Sequence, residues 1–340
     1  MFTSDIAIFL LGLLAAVFGG YFGAAIGGNF AFTLTGIMIL FAWGIYVGTG
    51  SVAGTSDIAF NYIAFGPVMG PHIAFAGACA GAAYAMKKGY IETGRDSTSP
   101  LARLGKVDVL LVGAAFGVFG YLLNIGIGLL PWFGTHTDTV ALTVFTSNVL
   151  ARVIWGNGVL TSSKYNQGAT SFLGKIASND TDFWLRYQEK PSQYLPLGFM
   201  AGGLAAGAAI MLSHYVPGGA AFAHTLPFAI SAIIIGFLIL GAEMPVQHHI
   251  TIIGGLAAVK FMPVLAGVPA ANFPWNETWT SATWMIAIGA ILIGCVFGMI
   301  SAFLAEFQSK LFHQRGDTHV DPPAAAIWIC TLLILVTSGN

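Results

Sequence analysis

The sequence predicts an all-α polytopic membrane protein with about ten transmembrane helices, arranged as two five-helix repeats of inverted topology. Three observations lead to this fold class. Hydrophobic residues make up 56% of the 340 residues and charged residues only 8%, whereas soluble domains carry about 25% charged residues. Apolar runs recur at the length of about 20 residues that a helix needs to cross a bilayer. Short matching sequences also repeat in the two halves of the chain.

Ten apolar segments follow one another along the chain. They lie near residues 6–25, 29–49, 67–86, 107–130, 137–154, 194–216, 224–242, 246–262, 281–306 and 322–338. The first five form a predicted repeat 1 (1–154), and the last five form a predicted repeat 2 (194–340). The polar stretch 155–193 joins them as a cytoplasmic or interfacial linker, and the aromatic and basic residues of 183–187 are typical of an interfacial helix.

Basic residues are confined to three of the loops, with one exception. Twelve of the thirteen lysines and arginines lie between segments three and four, at or between five and six, and between nine and ten: Lys87, Lys88, Arg95, Arg103, Lys106, Arg152, Lys164, Lys175, Arg186, Lys190, Lys310 and Arg315. Ten crossings put these loops on one side, which the positive-inside rule assigns to the cytoplasm. The protein is therefore expected in the plasma (inner) membrane with both termini outside. Lys260, near the outer end of segment eight, is the exception.

Three pairs of matching sequences align the two halves. The matched stretches are 135–138 (THTD) with 318–321 (THVD), 72–77 (HIAFAG) with 249–254 (HITIIG), and 113–117 (GAAFG) with 294–298 (GCVFG). The step along the chain from the first member to the second is nearly the same in all three pairs, and short insertions account for the differences. An odd number of spans in each copy inverts the second copy. Exchange between the conformations of inverted copies is a recurring basis of alternating access in transporters.

Prolines precede aligned histidines in segments three and eight, which indicates a substrate site. Proline breaks a helix, so both segments are predicted to be short or interrupted. Paired interruptions of this kind point to a site near the bilayer midplane, where helix N-termini favour an anionic or polar group. The expected substrate-binding residues are His72, His249, His248, Gln247, Pro71 and Pro245, and the first two are expected to face a shared polar cavity. Alternatively, the prolines mark ordinary turns and the histidines lie at headgroup depth.

Proton or ion coupling is predicted for a second set of residues: Glu243, Asp138, Asp321, His136 and His319. A carboxylate in lipid must be paired, protonated or hydrated, so Glu243 is a candidate proton carrier with His248 as its partner. The alternative is that Glu243 belongs to a cytoplasmic turn. Asp138 and Asp321 stand where helices five and ten begin, and they either cap these helices or act in gating and ion coupling. The same alternatives apply to the two histidines.

The remaining patterns exclude several classes of function. There is no HExxH, no paired Cys/His set and no GxSxG, so we expect no metal, no cofactor and no enzymatic activity. A net charge of −1 without a basic run gives no reason to expect nucleic acid binding. The expected partners are a small-molecule or ion substrate and the lipid bilayer, and a homo-oligomer is left open.

The predicted function is an integral membrane transporter or channel for a small polar or anionic solute, bound between the two repeats. One alternative is a structural or accessory membrane subunit of a larger complex, which the glycine-rich helix surfaces would also serve. A less favoured alternative is a membrane metal site or enzyme based on the histidines.

Overall fold

The computed structural model describes residues 6–50, 58–157, 165–166, 168–179 and 181–339. The described part of the chain is helical apart from its loops, and it contains one isolated β-bridge, between Gly94 and Thr318, and no strand. Its ten longest helices are α1 (Ile6–Ile26), α2 (Gly28–Thr49), α3 (Ala74–Lys87), α4 (Val107–Gly128), α5 (Thr139–Trp155), α6 (Pro191–Tyr215), α7 (Thr225–Ile239), α8 (His248–Leu265), α9 (Ser281–Gln308) and α10 (Pro322–Ser338). The predicted location of both termini depends on residues 1–5 and 340, which lie outside the described residues.

Six of the described helices are long and apolar enough to cross a membrane. They are α1, α2, α4, α6, α8, and α9 with its π-helical continuation Ser309–His313. Helices α5, α7 and α10 are apolar but shorter. Helix α3 has 14 residues and is only about 21 Å long, less than the roughly 30 Å of a bilayer core. An all-helical chain with six such helices is consistent with a multi-pass membrane protein.

Local sequence accounts for where the helices near the cavity begin. The side chain of Asp138 accepts a hydrogen bond from the Ala141 amide (2.8 Å) and begins α5. Asp321 caps α10 in the same way, through the Ala324 amide (2.7 Å). A carboxylate at this position satisfies one of the free N–H groups of the first turn. Both aspartates are therefore N-caps, as one of the two predicted alternatives required.

Helix packing follows the same scheme in the two halves of the chain. In the first half, the contacting pairs are α1–α2, α1–α3, α1–α4, α2–α3, α3–α4, α3–α5 and α4–α5. Each pair has a counterpart between the helices five positions later, from α6–α7 to α9–α10. Contacts between α2 and α7 and between α5 and α10 join the halves.

Glycines let three helices of each half approach one another closely. A Cβ atom added to Gly113 of α4 would lie 2.5 Å from the Cβ of Ala24, and one added to Gly294 of α9 would lie 2.5 Å from the Cβ of Ala206. Small residues at such crossings are typical of membrane helices, where close backbone packing replaces the hydrophobic effect as the driving force. The GAAFG and GCVFG stretches thus occupy corresponding places in the two packing schemes.

Candidate functional site

A cavity of about 360 Å³ lies between the two halves of the chain. Its wall is formed by residues from α2, α3, α5, α7, α8 and α10 and from the loops between them. We call this the main cavity. Its volume is within the range of pockets that hold small molecules, about 300–1,000 Å³.

Several lining residues are matched between the halves. Pro71 corresponds to His248 and Phe75 to Ile252, by the same step along the chain that relates His72 to His249. The step that relates THTD to THVD gives four further pairs, which are Asp138 with Asp321, Val140 with Pro323, Ala141 with Ala324, and Val144 with Ile327. Each half therefore contributes the same positions of its third and fifth helices, and of the turns before them, to the wall.

Aromatic rings from both halves belong to the wall of the main cavity. The ring of Phe32 on α2 lies 5.7 Å from that of Phe228 on α7 and 4.6 Å from the imidazole of His248. The Phe75 ring is 5.4 Å from the imidazole of His319. These two histidines thus place imidazole nitrogens beside the aromatic rings of the wall.

The carboxylates on the wall are already engaged. Besides capping α10, Asp321 places its Oδ1 atom 3.2 Å from Nε2 of His319, within range of a hydrogen bond or an ion pair. Asp138 is bonded to the first turn of α5. Since both carboxylates bind backbone N–H groups, their charge is partly balanced before any solute arrives.

One end of the main cavity is lined by a cationic side chain that bonds to a backbone carbonyl. Arg95, in the loop after α3, donates a hydrogen bond to the carbonyl oxygen of Gln314 in the other half. The neighbouring Asp96 accepts from the amides of Thr98 (2.9 Å) and Ser99 (2.8 Å) and so fixes the loop. Burial raises the pKa of Asp96, but the hydrogen bonds from Ser99 and Thr98 outweigh it, and the pKa lies below its ordinary value.

The linker between the halves covers this same end, which we call the linker end. Trp184 and Leu185 belong to the cavity wall. Gln188 is buried and holds the backbone of Val246, donating to its carbonyl (2.9 Å) and accepting from its amide (3.2 Å). The residues at 183–187 form bends and turns rather than the predicted interfacial helix, because these bonds tie the linker to the start of α8.

Of the predicted binding residues, Pro71 and His248 line the main cavity and the others do not. His72 is buried and its ring lies over Gly70. A Cβ atom added to Gly70 would lie 2.6 Å from Cε1 of His72. His249 is fully buried, and neither of its ring nitrogens has a hydrogen-bond partner in the described part of the chain. The residue before each expected histidine therefore reaches the cavity instead.

Some of the remaining predicted residues line the main cavity and others do not. Gln247 stands just before α8 without a capping bond, and Pro245 is half-buried beside it. Glu243 is exposed near Tyr187, whose pKa is raised by burial and by the Glu243 charge. His136 is half-buried and stacks on Trp132 at 4.6 Å. None of these four predicted residues lines the main cavity, whereas Asp138, Asp321 and His319 do.

Sequence reasoning did not place several polar residues on the wall, and the most prominent are Asn29, Arg95 and His224. Asn29 was detectable as a lone amide at the start of an apolar run. Arg95 counted only as a loop charge, and His224 only as the first residue of segment seven. Among the described residues, no group of three or more His, Cys, Asp or Glu side chains is placed to hold a metal ion.

The chain belongs to the DUF7973 family, described as a family of unknown function, whose sequence profile matches residues 2–339. No curated protein matches the chain, and no solved structure matches it either.

Proposed function

We propose that this DUF7973 protein is a transporter or channel for a small polar or anionic solute, which binds between two five-helix repeats of opposite orientation. The observation that carries the proposal is the main cavity, with walls built from matched positions of the two halves. A protein that only supported a complex would need no such cavity. Binding sites at the interface of two repeats are usual in transporters.

The packing of the helices supports the repeat. The same pairs of helices are in contact in each half, and α2–α7 and α5–α10 are contacts between corresponding helices. The two halves also agree in local structure, since aspartates at equivalent positions cap α5 and α10. Five helices per copy invert the second copy if every one crosses the bilayer. Of the two segments expected to be short or interrupted, α3 is the shortest of the ten helices, whereas α8 is continuous over 18 residues and reaches spanning length. The short α3 is in keeping with the interrupted segments of transporters.

The chemistry of the wall supports a polar or anionic solute. Arg95 has no carboxylate bonded to it among the described residues, and it donates instead to a backbone carbonyl. Asn29, Ser97 and His319 are further polar residues of the wall, of which Asn29 donates to the Thr98 hydroxyl (2.9 Å) and His319 places Nε2 3.2 Å from Asp321. The two aspartates are occupied by backbone amides. A solute with acceptor oxygens can therefore bond to the Arg95 guanidinium, and charged donors form the stronger hydrogen bonds.

Flux through vesicles containing the purified protein tests the proposal. Acetate, phosphate, urea and glycerol are the probe solutes, and the variants are Ala141→Phe and Ala324→Phe, which place a ring in the main cavity from either half. His248→Phe is a milder variant that keeps the ring contact with Phe32. The control is Gly44→Phe on α2, where no atom lies within 4 Å of an added Cβ.

We expect the wild type and Gly44→Phe to move at least one probe, and both alanine variants to fall to the flux of protein-free vesicles while remaining monodisperse. His248→Phe should reduce flux without loss of thermal stability. If the wild type moves no probe, or if the filled cavities conduct like the wild type, the proposal fails. The role of an accessory subunit would then describe the protein better.

A further inference from the structure

A second cavity, of about 210 Å³, adjoins the main cavity at the end away from the linker. His224 belongs to the walls of both. The polar members of the second wall are His224, Lys260 and Trp275, and the rest are apolar. No acidic side chain lines it among the described residues.

Lys260 is the lysine that the positive-inside rule leaves unexplained. It lies on α8, three turns beyond His248, which places it roughly 18 Å along the helix from the linker end. It has no ion pair and no hydrogen bond within the described ranges, and its side chain is only partly exposed. A partly buried lysine without a counter-ion is costly, so its presence in this wall calls for a reason.

Packing does not supply that reason. By the step that relates His72 to His249, Lys260 corresponds to Ala83 of α3, which is fully buried. The backbone at Gly94 fills the space beside Ala83, since a Cβ atom added to Gly94 would lie 2.9 Å from the Cα of Ala83. The second half leaves a cavity at the equivalent place and puts an ammonium group into it. The two halves therefore differ at the position where the cation stands.

We infer that Lys260 and His224 form a binding site for a small oxyanion, a carboxylate or phosphate group, at the end of the main cavity opposite Arg95. This inference rests on the proposed function and names the charge of its solute. An ammonium and an imidazole both donate to acceptor oxygens, and a charged donor makes the stronger bond. An anion supplies the missing counter-charge, and His224 lines both its cavity and the main cavity. Cations at the two ends would then receive the solute from either side.

The test uses the full chain, purified in dodecyl maltoside, and two probes, acetate and inorganic phosphate. Each is titrated at constant ionic strength against sodium chloride, and the thermal midpoint and tryptophan fluorescence are recorded, since Trp275 lines the second cavity. The variants are Lys260→Met, which keeps the apolar stem without the charge, and His224→Gln. Lys175→Met, on the exposed linker, is the charge-matched control.

We expect at least one probe to give a saturable response in the wild type and in Lys175→Met. Lys260→Met should raise the apparent Kd at least tenfold, and His224→Gln should raise it less. Three outcomes overturn the inference: no saturable response in the wild type, an unchanged Kd in Lys260→Met, or an equal loss in Lys175→Met. If added phosphatidylglycerol, and not the free anions, gives a response that Lys260→Met loses, the site binds a lipid headgroup. That outcome overturns the inference as well.

Vesicle flux separates this inference from the proposed function. If the wild type carries acetate or phosphate and Lys260→Met carries it equally well, the site is wrong and the function stands. If Lys260 governs anion binding in detergent but the wild type carries no probe, the site stands and the function fails.

Discussion

Alanine substitution at the closest helix crossings gives the sharpest test of the packing. Gly117 on α4 and Gly298 on α9 are the last residues of the matched GAAFG and GCVFG stretches. An added Cβ would lie 2.3 Å from the carbonyl oxygen of Ala16 at the first and 2.3 Å from that of Gly198 at the second. Carbon and carbonyl oxygen ordinarily meet at about 3.3 Å or more. Each alanine therefore forces its two helices about 1 Å apart.

The expected cost follows from two opposing effects. Overpacking in a close-packed interior costs about 1–3 kcal/mol, while alanine in place of glycine within a helix returns about 0.5–1 kcal/mol. Gly126, also on α4, has no atom within 4 Å of an added Cβ, so alanine there has only the favourable effect. Because the gain in helix propensity is common to both variants, it cancels when their free energies of unfolding are compared. Gly117→Ala should therefore be less stable than Gly126→Ala by about 1–3 kcal/mol.

Equilibrium unfolding in mixed detergent and SDS measures these free energies. Gly117→Ala and Gly298→Ala should lose stability by similar amounts, and Gly126→Ala should match or exceed the wild type. If Gly126→Ala costs as much as Gly117→Ala, the close approach of α1 and α4 is not the cause. If Gly298→Ala is neutral while Gly117→Ala is not, the two halves do not pack alike.

Three further predictions concern the linker, a loop and the topology. Gln188→Leu should lower the free energy of unfolding by about 1–3 kcal/mol for each backbone group of Val246 that it leaves unpaired. The control is Gln193→Leu, at the start of α6, and an equal or greater loss in the control would refute this. Because the folded-state pKa of Asp96 is lowered, its charge stabilises the fold above the unfolded pKa of about 3.9, and this contribution is lost as pH falls through the folded value. The midpoint difference between wild type and Asp96→Asn should therefore shrink below about pH 4, and a constant difference would contradict it. Single cysteines at positions 88 and 186 should resist an impermeant thiol reagent in intact cells while Trp275→Cys reacts, and labelling at 88 would reverse the predicted orientation.

Hydropathy predicted where helices form, because an apolar run of bilayer length can satisfy its backbone only as a helix. A helix overlaps each of the ten predicted segments. The predicted bounds fail most for segment three, expected at 67–86. Its helix begins only at Ala74, because Pro67 and Pro71 lack amide donors and the intervening residues form turns. The number of segments that cross the bilayer stays a prediction, since six helices reach spanning length.

Residues that reach the main cavity from loops could not be predicted. Arg95 arrives there because the backbone at Gly94 pairs with Thr318, from the other half, and the His319 amide donates to the Gly94 carbonyl at 3.0 Å. No local pattern encodes a contact between loops that lie in different halves of the chain. Trp184 is placed by a similar long-range tie, between Gln188 and Val246. Charge counting treated these stretches as exposed loops and missed their return into the protein.

The aligned histidines show how far a repeat can predict a site. Matching sequences indicated which residues of the two halves are equivalent, and the structure keeps that equivalence on the cavity wall. They did not fix the rotation of the helices about their axes. One residue of an α-helix turns the side chain by about 100°, so a shift of one position exchanges the cavity wall for the helix interface. On α8, His249 faces the interface and His248 the wall. In the first half His72 and Pro71 divide in the same way, although they lie in the turn before α3 and not on a helix. The same one-residue shift in both halves is what the proposed repeat predicts.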